Sequence, residues 1–286
     1  MSDKPVVTII GAGALGAAMA ARLGETGHEV RLWNRTAERA RTAAGSADGV
    51  TAVDTLSKAV SGAAVVMTVL RDGEAVTSVM SEGIGQLDDG VVWVQASTIG
   101  PESTRALADL AAHHGVAFLD APVSGSTTPA RQGKLVWLVA GDQAVLEQAR
   151  SVLDALGSSV LLVGSRDEGS SLKLVVNAWM ATATVAMSDS LGLCDDLGIS
   201  HGTFAEALKA GPLAMPYALL KLQMMDDHSF EPGFAVQLAL KDVDLAERAA
   251  GLTPLFRTVR ERLQATVSAG HGDEDLAAVD TTRRSG

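Results

Sequence analysis

Residues 6–36, VVTIIGAGALGAAMAARLGETGHEVRLWNRT, decide the fold. An apolar run, Val6 to Ile10, leads directly into Gly11, Ala12, Gly13, Ala14, Leu15 and Gly16, and an alanine-rich helical stretch follows. A second β-rich run, Glu29 to Trp33, comes at the distance expected of a strand–helix–strand unit. Each glycine has its own expected reason: Gly11 for the tight turn, Gly13 for close backbone approach to a pyrophosphate, Gly16 for close packing of helix on sheet. The helix start adds unpaired N–H groups and partial positive charge where phosphates would lie. The stretch predicts a dinucleotide-binding turn, with a glycine-rich turn of some other α/β protein as the alternative.

The residues after the second strand bear on the choice of dinucleotide. Sites for NAD commonly offer Asp or Glu to the ribose 2′-hydroxyl about 20 residues past the glycines. Here the chain reads Asn34, Arg35, Thr36. No carboxylate stands there to repel a phosphate, and the planar donor fork of Arg35 suits a 2′-phosphate, with Asn34 and Thr36 supplying neutral hydrogen bonds. NADP is therefore expected over NAD. Use of NAD stays open because one arginine is a modest phosphate site, and the alternative for Arg35 is a solvated residue opening a helix.

Composition narrows the class. A chain of 286 residues suggests two domains, and 47% hydrophobic with 20% charged residues fits a globular protein. The net charge of −11 has no basic tract to offset it, which argues against nucleic acid or an anionic membrane surface as a partner. The single cysteine, Cys194, excludes an intrachain disulfide and fits a reducing compartment, so a cytoplasmic location is expected. The short lead from Met1 to the first strand leaves no room for a signal peptide, and no apolar run of about 18 residues suggests a membrane span.

Further strands are expected at Ala64 to Thr68, Val91 to Gln95, Ala117 to Asp120, Leu135 to Ala140 and Val160 to Val163, with helices filling the gaps. The alternation predicts an α/β fold: an N-terminal doubly wound parallel sheet over residues 1–164, then an all-α domain over residues 165–286. A polar turn, GSRDEG at 164–169, marks the boundary. In the long helical stretch from Ser170 to Leu197, Leu174 to Met187 is apolar on nearly every face, which predicts burial between domains or subunits and hence a homodimer. Thr281 to Gly286 reads as a disordered tail.

Three further segments carry chemistry: DAPVSGSTTPARQGKLVWLVAG at 120–141, GSSLKLVVNAW at 169–179, and FAVQLALKDVDLA at 234–246. The second places Lys173 and Asn177 four apart on one helix face. With the N-terminal glycines, STIGP at 97–101 and GHGDEDLAAV near the C-terminus, these segments closely resemble the β-hydroxyacid dehydrogenases over nearly the whole chain. The resemblance implies that Lys173 is the catalytic lysine and that Asn177 helps to fix the substrate. It implies further that Ser124 and Gly125 grip a substrate carboxylate, that Leu70 and Thr98 line the nicotinamide, and that Lys241 closes over the cofactor. Such chemistry suits an ammonium group, since hydride arriving at a carbonyl carbon leaves negative charge on oxygen, which a nearby ammonium stabilises and protonates.

Simpler readings stand beside these. Lys173 could be an ordinary lysine near a helix start, Asn177 a helix-to-helix hydrogen bond, Ser124 a turn cap, and Lys241 with Asp242 and Asp244 a solvated helix face. His113, His114, Glu102 and His271 lack metal-ligand spacing, and no metal is expected. Two positions depart from the resemblance: Ser126 replaces a second glycine and Ala178 a second asparagine. Trp179, Met180, Met215, Tyr217, Met224 and Met225 form an adaptable apolar set that suits a bulkier substrate, although methionines at such spacing are commonly core. The leading expectation is an NADPH-dependent reductase of a small aldehyde or keto acid. The alternatives are an imine reductase acting on a cyclic imine, disfavoured by the retained Lys173, and a non-catalytic NADP(H)-binding sensor, disfavoured by Lys173 together with Asn177.

Overall fold

The computed structural model describes residues 4–283, and the chain divides into two compact units at Lys173/Leu174. Unit one contains, in chain order, β1 (Val7–Ile10), α1 (Ala14–Glu25), β2 (Val30–Trp33), α2 (Ala37–Gly45), β3 (Val50–Ala52), α3 (Leu56–Val60), β4 (Val65–Thr68) and α4 (Gly73–Gly83). It continues with β5 (Val92–Gln95), α5 (Gly100–His113), β6 (Ala117–Asp120), β7 (Val123–Ser124), α6 (Thr127–Arg131), β8 (Leu135–Ala140), α7 (Gln143–Leu156) and β9 (Gly157–Gly164). The sheet order is β3-β2-β1-β4-β5-β6-β8-β7, with β9 also paired to β8. Pairing is parallel from β3 through β6 and between β8 and β9, and antiparallel where β8 meets β6 and β7.

The central strands are buried at every position: VTII in β1, VVMT in β4, VWVQ in β5. Such near-continuous apolar runs are what a parallel sheet covered on both faces requires. On α1 the small Ala18, Ala20 and Ala21 are buried with Met19 and Leu23, so the helix lies close on the strands. Along α7, Leu146, Ala149, Val152, Leu153 and Leu156 make an inward stripe at helical spacing. The chain winds outward from β1 to β3 and then returns to β4 on the other side of β1. This reversal puts the ligand crevice of a doubly wound sheet at the carboxyl ends of β1 and β4.

Two strands were not expected from the sequence. β3 is a three-residue edge strand that is nowhere fully buried, and β7 has two residues directly after Pro122; neither is long enough to show an alternating pattern. β9 is also longer than the expected core Val160 to Val163.

Helix α8 (Glu168–Leu197) runs for 30 residues, and unit two begins inside it. The unit continues with α9 (His201–Lys209), α10 (Pro216–Asp226), α11 (Val236–Ala250), α12 (Pro254–Thr266), a π-helical turn at Val267–His271 and a 3-10 helix at Leu276–Thr282. Its core joins Ala181, Val185 and Leu191 of α8 to Val236, Ala239 and Val243 of α11, Leu263 of α12, and Leu276 to Val279.

The expectation for the C-terminal tail is corrected here, and that of burial for α8 is met only in part by the chain itself. α8 is not covered on all sides within the chain: Val175, Trp179, Leu193 and Leu197 are 65%, 60%, 59% and 64% exposed. Recurring one or more whole turns apart, they form one outward stripe, while the core-facing side takes Leu174, Ala178, Ala181, Val185 and Leu191. The expected tail from Thr281 is also ordered as far as Arg283: Thr282 is buried, and Arg283 pairs with Asp195 and Asp280. Residues 284–286 of that expectation lie outside the described residues. No helix among the described residues is long and apolar enough to cross a membrane.

A buried ion pair ties the C-terminal segment down. Asp275 Oδ1 accepts from Lys221 Nζ and, at 2.9 Å, from the Ala277 amide, while Oδ2 accepts from the amides of Gly233 and Phe234 at 3.1 and 3.2 Å. Both partners are almost fully buried. Removing one would strand an uncompensated charge. Lys221→Met is expected to cost about 3–5 kcal/mol in urea unfolding; an unchanged midpoint would show that the pair holds nothing together.

Candidate functional site

The glycine turn sits at the carboxyl end of β1, and its three glycines are required for different reasons. Gly11 has φ +121°, and a Cβ there would run into the Val69 carbonyl after β4 and reach 3.0 Å from Leu70 Cδ2. A Cβ on Gly16 would strike the Gly11 carbonyl, so this glycine serves packing of the helix on the turn itself as well as on Ile9. Around Gly13 a Cβ would meet nothing within 4 Å. Open space over a helix N-cap whose first-turn amides of Ala14, Leu15 and Gly16 lack intrahelical acceptors fits a pyrophosphate.

Asn34 is committed locally. Its Oδ1 accepts from the Ala12 amide at 3.1 Å and its Nδ2 donates to the Thr36 carbonyl at 3.0 Å, so it braces the glycine turn against the end of β2. Arg35 and Thr36 are exposed at the start of α2. Next to the turn, a buried polar network fixes the ends of β4 and β5. Gln95 Oε1 accepts from the Ser97 amide at 2.8 Å and from Thr68 Oγ1 at 3.4 Å, while its Nε2 donates to the Ser97 carbonyl at 2.8 Å. Ser97 Oγ accepts from the Leu70 amide at 2.9 Å and donates to the Thr68 carbonyl at 3.2 Å. Leu70 and Thr98, both half-buried, are thus held by main-chain neighbours that cannot shift independently.

Lys173 is only 8% exposed. The entry to its helix is pinned at several points. Glu168 Oε2 accepts from the amides of Ser165, Arg166 and Asp167 at 3.0, 2.8 and 3.1 Å, and these bonds hold its carboxyl below the usual range. Arg105 and Asp109 of α5 pair with Asp167 and Arg166. A Cβ on Gly169 would run into the Leu138 carbonyl and approach the Asp120 carbonyl at 2.9 Å. The Asp120 carboxyl, fully buried at the end of β6, accepts from the Ser170 amide and hydroxyl, both at 2.6 Å. Burial pushes Asp120 up from 3.8 to about 7, against the lowering effect of the two Ser170 bonds. Its neutral form is thus the favoured one: the stability it contributes is complete below pH 3.8 and is lost as pH rises towards 7.

Ser124 pairs with Val136 across the β7–β8 ladder, and Gly125 follows with φ +131°. There a Cβ would sit 2.8 Å from Leu135 Cδ2 and 3.3 Å from Pro129 Cβ, so glycine is needed both for conformation and for space. Ser126 takes the N-cap position of α6.

In unit two, Asn177 donates from Nδ2 to Asp242 Oδ2, and Lys241 Nζ lies 2.6 Å from Asp242 Oδ1 as an ion contact without hydrogen-bond alignment. A carboxylate only accepts, so Asp242 dictates which way the Asn177 amide faces. Asn177 Oδ1 is left buried with no hydrogen-bond partner among the described residues. The solvated-face reading of Asp242 is excluded, since it is 2% exposed. Asp244 pairs with Arg260 instead. The expected apolar set is dispersed: Met225 is core, Met180, Met215 and Met224 pack against it, Tyr217 bonds Thr184 at 3.0 Å, and Trp179 faces outward.

A cavity of about 490 Å³ elsewhere in unit two is lined by Asp195, His201, Asp226, His228, Asp280 and Arg283. Its charges are spent on one another, His201 on Asp195 and Asp226, Arg283 on Asp195 and Asp280, so it is not the site.

Sequence reasoning did not single out Asp120, Ser170, Gln95 or Ser97 as parts of the site. The signal for Asp120 was a carboxylate closing an apolar strand, where an unpaired charge is costly.

Residues 6–164 match the NAD binding domain of 6-phosphogluconate dehydrogenase, and residues 168–281 match the family described as NAD-binding of NADP-dependent 3-hydroxyisobutyrate dehydrogenase. The chain belongs to the β-hydroxyacid dehydrogenase family. This β-hydroxyacid dehydrogenase homologue is an NAD(P)-dependent oxidoreductase. It is 30% identical over 281 residues to glyoxylate/succinic semialdehyde reductase 1 of Arabidopsis thaliana, covering 96% of each chain. The structure of Mycobacterium tuberculosis 3-hydroxyisobutyrate dehydrogenase with L-serine superposes with a TM-score of 0.88 at 28% identity, over 98% of this chain and 99% of that one. An imine reductase from Myxococcus stipitatus, covering 97% and 99%, shares the fold at a TM-score of 0.67 and 22% identity.

The different roles of the glycines are separable. Gly13→Ala is expected to keep the wild-type melting temperature and to weaken dinucleotide binding about tenfold or more, because its Cβ intrudes only on ligand space. Gly16→Ala should lower the melting temperature as well. Equal losses of stability in the two variants would contradict this assignment.

Proposed function

We propose that this enzyme is an NADPH-dependent reductase that converts a small aldehyde or keto acid to the corresponding hydroxy acid. The observation that carries the reading is Lys173, a buried lysine on a helix whose first turn is fixed to the end of β6. When bound, a nicotinamide dinucleotide supplies the hydride to the carbonyl carbon. Lys173 donates a proton to the carbonyl oxygen as negative charge develops there. Ser124 and the amide exposed by Gly125 hold the substrate carboxylate, and Asn177, its amide orientation set by Asp242, offers its open Oδ1 to a substrate hydroxyl. Leu70 and Thr98 line the nicotinamide, and Lys241 holds the cofactor. A domain of residues 1–164 binds the dinucleotide, and one of residues 165–286 serves substrate binding and dimerisation. The buried Cys194 fits a reducing, cytoplasmic setting.

Preference for NADP rests on Arg35, exposed where a carboxylate would exclude a phosphate, while Asn34 is occupied in bracing the glycine turn. NAD use at lower affinity is compatible with a single cation there.

The experiment is NADPH oxidation with glyoxylate, succinic semialdehyde and a cyclic imine. Lys173→Ala should lower carbonyl reduction by about 10²- to 10⁴-fold. If only the imine is turned over, and Lys173→Ala leaves that reaction intact, imine reduction replaces this reading. If NADPH binds and nothing turns over, neither activity stands. Arg35→Ala should raise the KM for NADPH about tenfold while leaving that for NADH unchanged.

A second copy of the chain is the proposed partner of the exposed stripe on α8. From Val175 to Leu197 the stripe runs about 33 Å along the helix at 1.5 Å per residue, and Trp179, one turn from its N-terminal end, is the kind of side chain that anchors interfaces. Trp179→Asp is expected to turn a dimer into a monomer in sedimentation analysis; a wild-type protein that is monomeric at micromolar concentration would dispose of the idea.

A further inference from the structure

We propose that Asp120 is the positioning residue for Lys173: through Ser170 it clamps the first turn of α8 and sets the charge at that turn, three residues before Lys173. This inference rests on the reading of Lys173 as proton donor. Ser170 is the third residue of α8, so the bond from its amide to Asp120 Oδ2 is the one an N-cap side chain would accept, here supplied by a strand 50 residues earlier. Gly169 leaves no room for a Cβ between this turn and the carbonyls of Leu138 and Asp120, so the turn cannot be displaced towards the strands. Lys173 follows Ser170 by three residues and shares its helix face.

The clamp is built to work in two proton states. Ser170 Oγ lies 2.6 Å from Asp120 Oδ1 and 2.8 Å from Thr104 Oγ1. With the carboxylate ionised, Ser170 donates to it and Thr104 donates to Ser170. With the carboxyl protonated, Oδ1–H donates to Ser170 and Ser170 donates to Thr104. No hydroxyl loses its partner when the chain of donors reverses. The charged groups acting on Asp120 are Asp167 and Glu168 on the turn into α8, with Arg105 of α5 paired to Asp167. Neighbouring strands β5 and β8 contribute Gln95 and Ala140, which are uncharged, and α7 turns its apolar stripe inward. Burial places the change of state near neutrality. The ionised form makes charge-assisted bonds to the helix start and favours an ammonium at Lys173, so it is the competent form for reduction.

The test compares wild type with Asp120→Asn, Ser170→Ala and Lys173→Met. An Asn at 120 still accepts from the Ser170 amide and donates to its hydroxyl, so shape is kept and charge removed. Wild-type kcat for reduction of glyoxylate or succinic semialdehyde is expected to rise through pH 7. In Asp120→Asn this step should vanish, with kcat lower by about tenfold at pH 8, little changed at pH 6, and the KM for NADPH unchanged. A kcat loss that is equal at both pH values, or a step that persists, overturns the proposal. Ser170→Ala removes a bond to the ionised form and should move the midpoint upward; an unmoved midpoint also overturns it, and this variant decides should Asp120→Asn fail to fold.

A readout independent of turnover is the ¹³C signal of dimethylated Lys173, expected to follow the same ionisation in wild type and not in Asp120→Asn. An insensitive Lys173 signal counts against the proposal. If Lys173→Met reduces the carbonyl at the wild-type rate, the reading of Lys173 fails and the inference with it. If Lys173→Met is inactive and the Asp120 and Ser170 variants keep the wild-type profile, only the inference fails.

Discussion

Unit one is organised by backbone meeting backbone where no side chain fits. The carbonyl of Val69 stands against Cα of Gly11, that of Gly11 against Cα of Gly16, and that of Leu138 against Cα of Gly169. The first two contacts bring the end of β4, the glycine turn and α1 into one rigid corner, which leaves the space over Gly13 open. The third does the same for α8 at the ends of β6 and β8. In close-packed interiors such contacts transmit position without slack, because there is no rotamer to absorb a shift. Ala14 and Leu15 at one corner and Lys173 at the other inherit the precision of their placement from these glycines.

Much of this was legible in the sequence because it is local. Strand, glycine turn and helix follow one another within about 30 residues, and each central strand carries its own apolar run, so their ends were found within a residue or so. Edge elements were not legible: β3 and β7 owe their existence to neighbours in the sheet rather than to a pattern of their own. The stripe on α8 shows another limit. An all-apolar stretch says that every face avoids water, and it does not say which faces the same chain covers.

Polar partners at long range were hidden for a related reason. Asn177 and Asp242 are 65 positions apart and Asp120 and Ser170 are 50 apart. Each looks ordinary in its own segment, and only the fold shows that Asp242 is buried and orients an amide. Asn34 is the instructive case. Its residue type pointed to the 2′-phosphate, while its side chain is spent on Ala12 and Thr36, so Arg35 and Thr36 are left to face solvent with donors to offer.

Three buried carboxylates show how the partner set decides what a buried acid is for. Asp275 meets an ammonium and three main-chain amides, a full set of donors for a permanent charge, and it fastens the C-terminal segment. Asp242 touches one ammonium and one amide side chain, and so fixes which way the Asn177 amide faces. Asp120 meets only neutral donors, an amide and a hydroxyl, and these do not offset the loss of water, so burial wins and its carboxyl is pushed up to about 7. A purely structural anchor at that point would be better served by a cationic partner for the carboxylate or by an asparagine in its place. A carboxyl with reversible hydroxyl partners keeps its bond to Ser170 in either proton state while its charge changes between them.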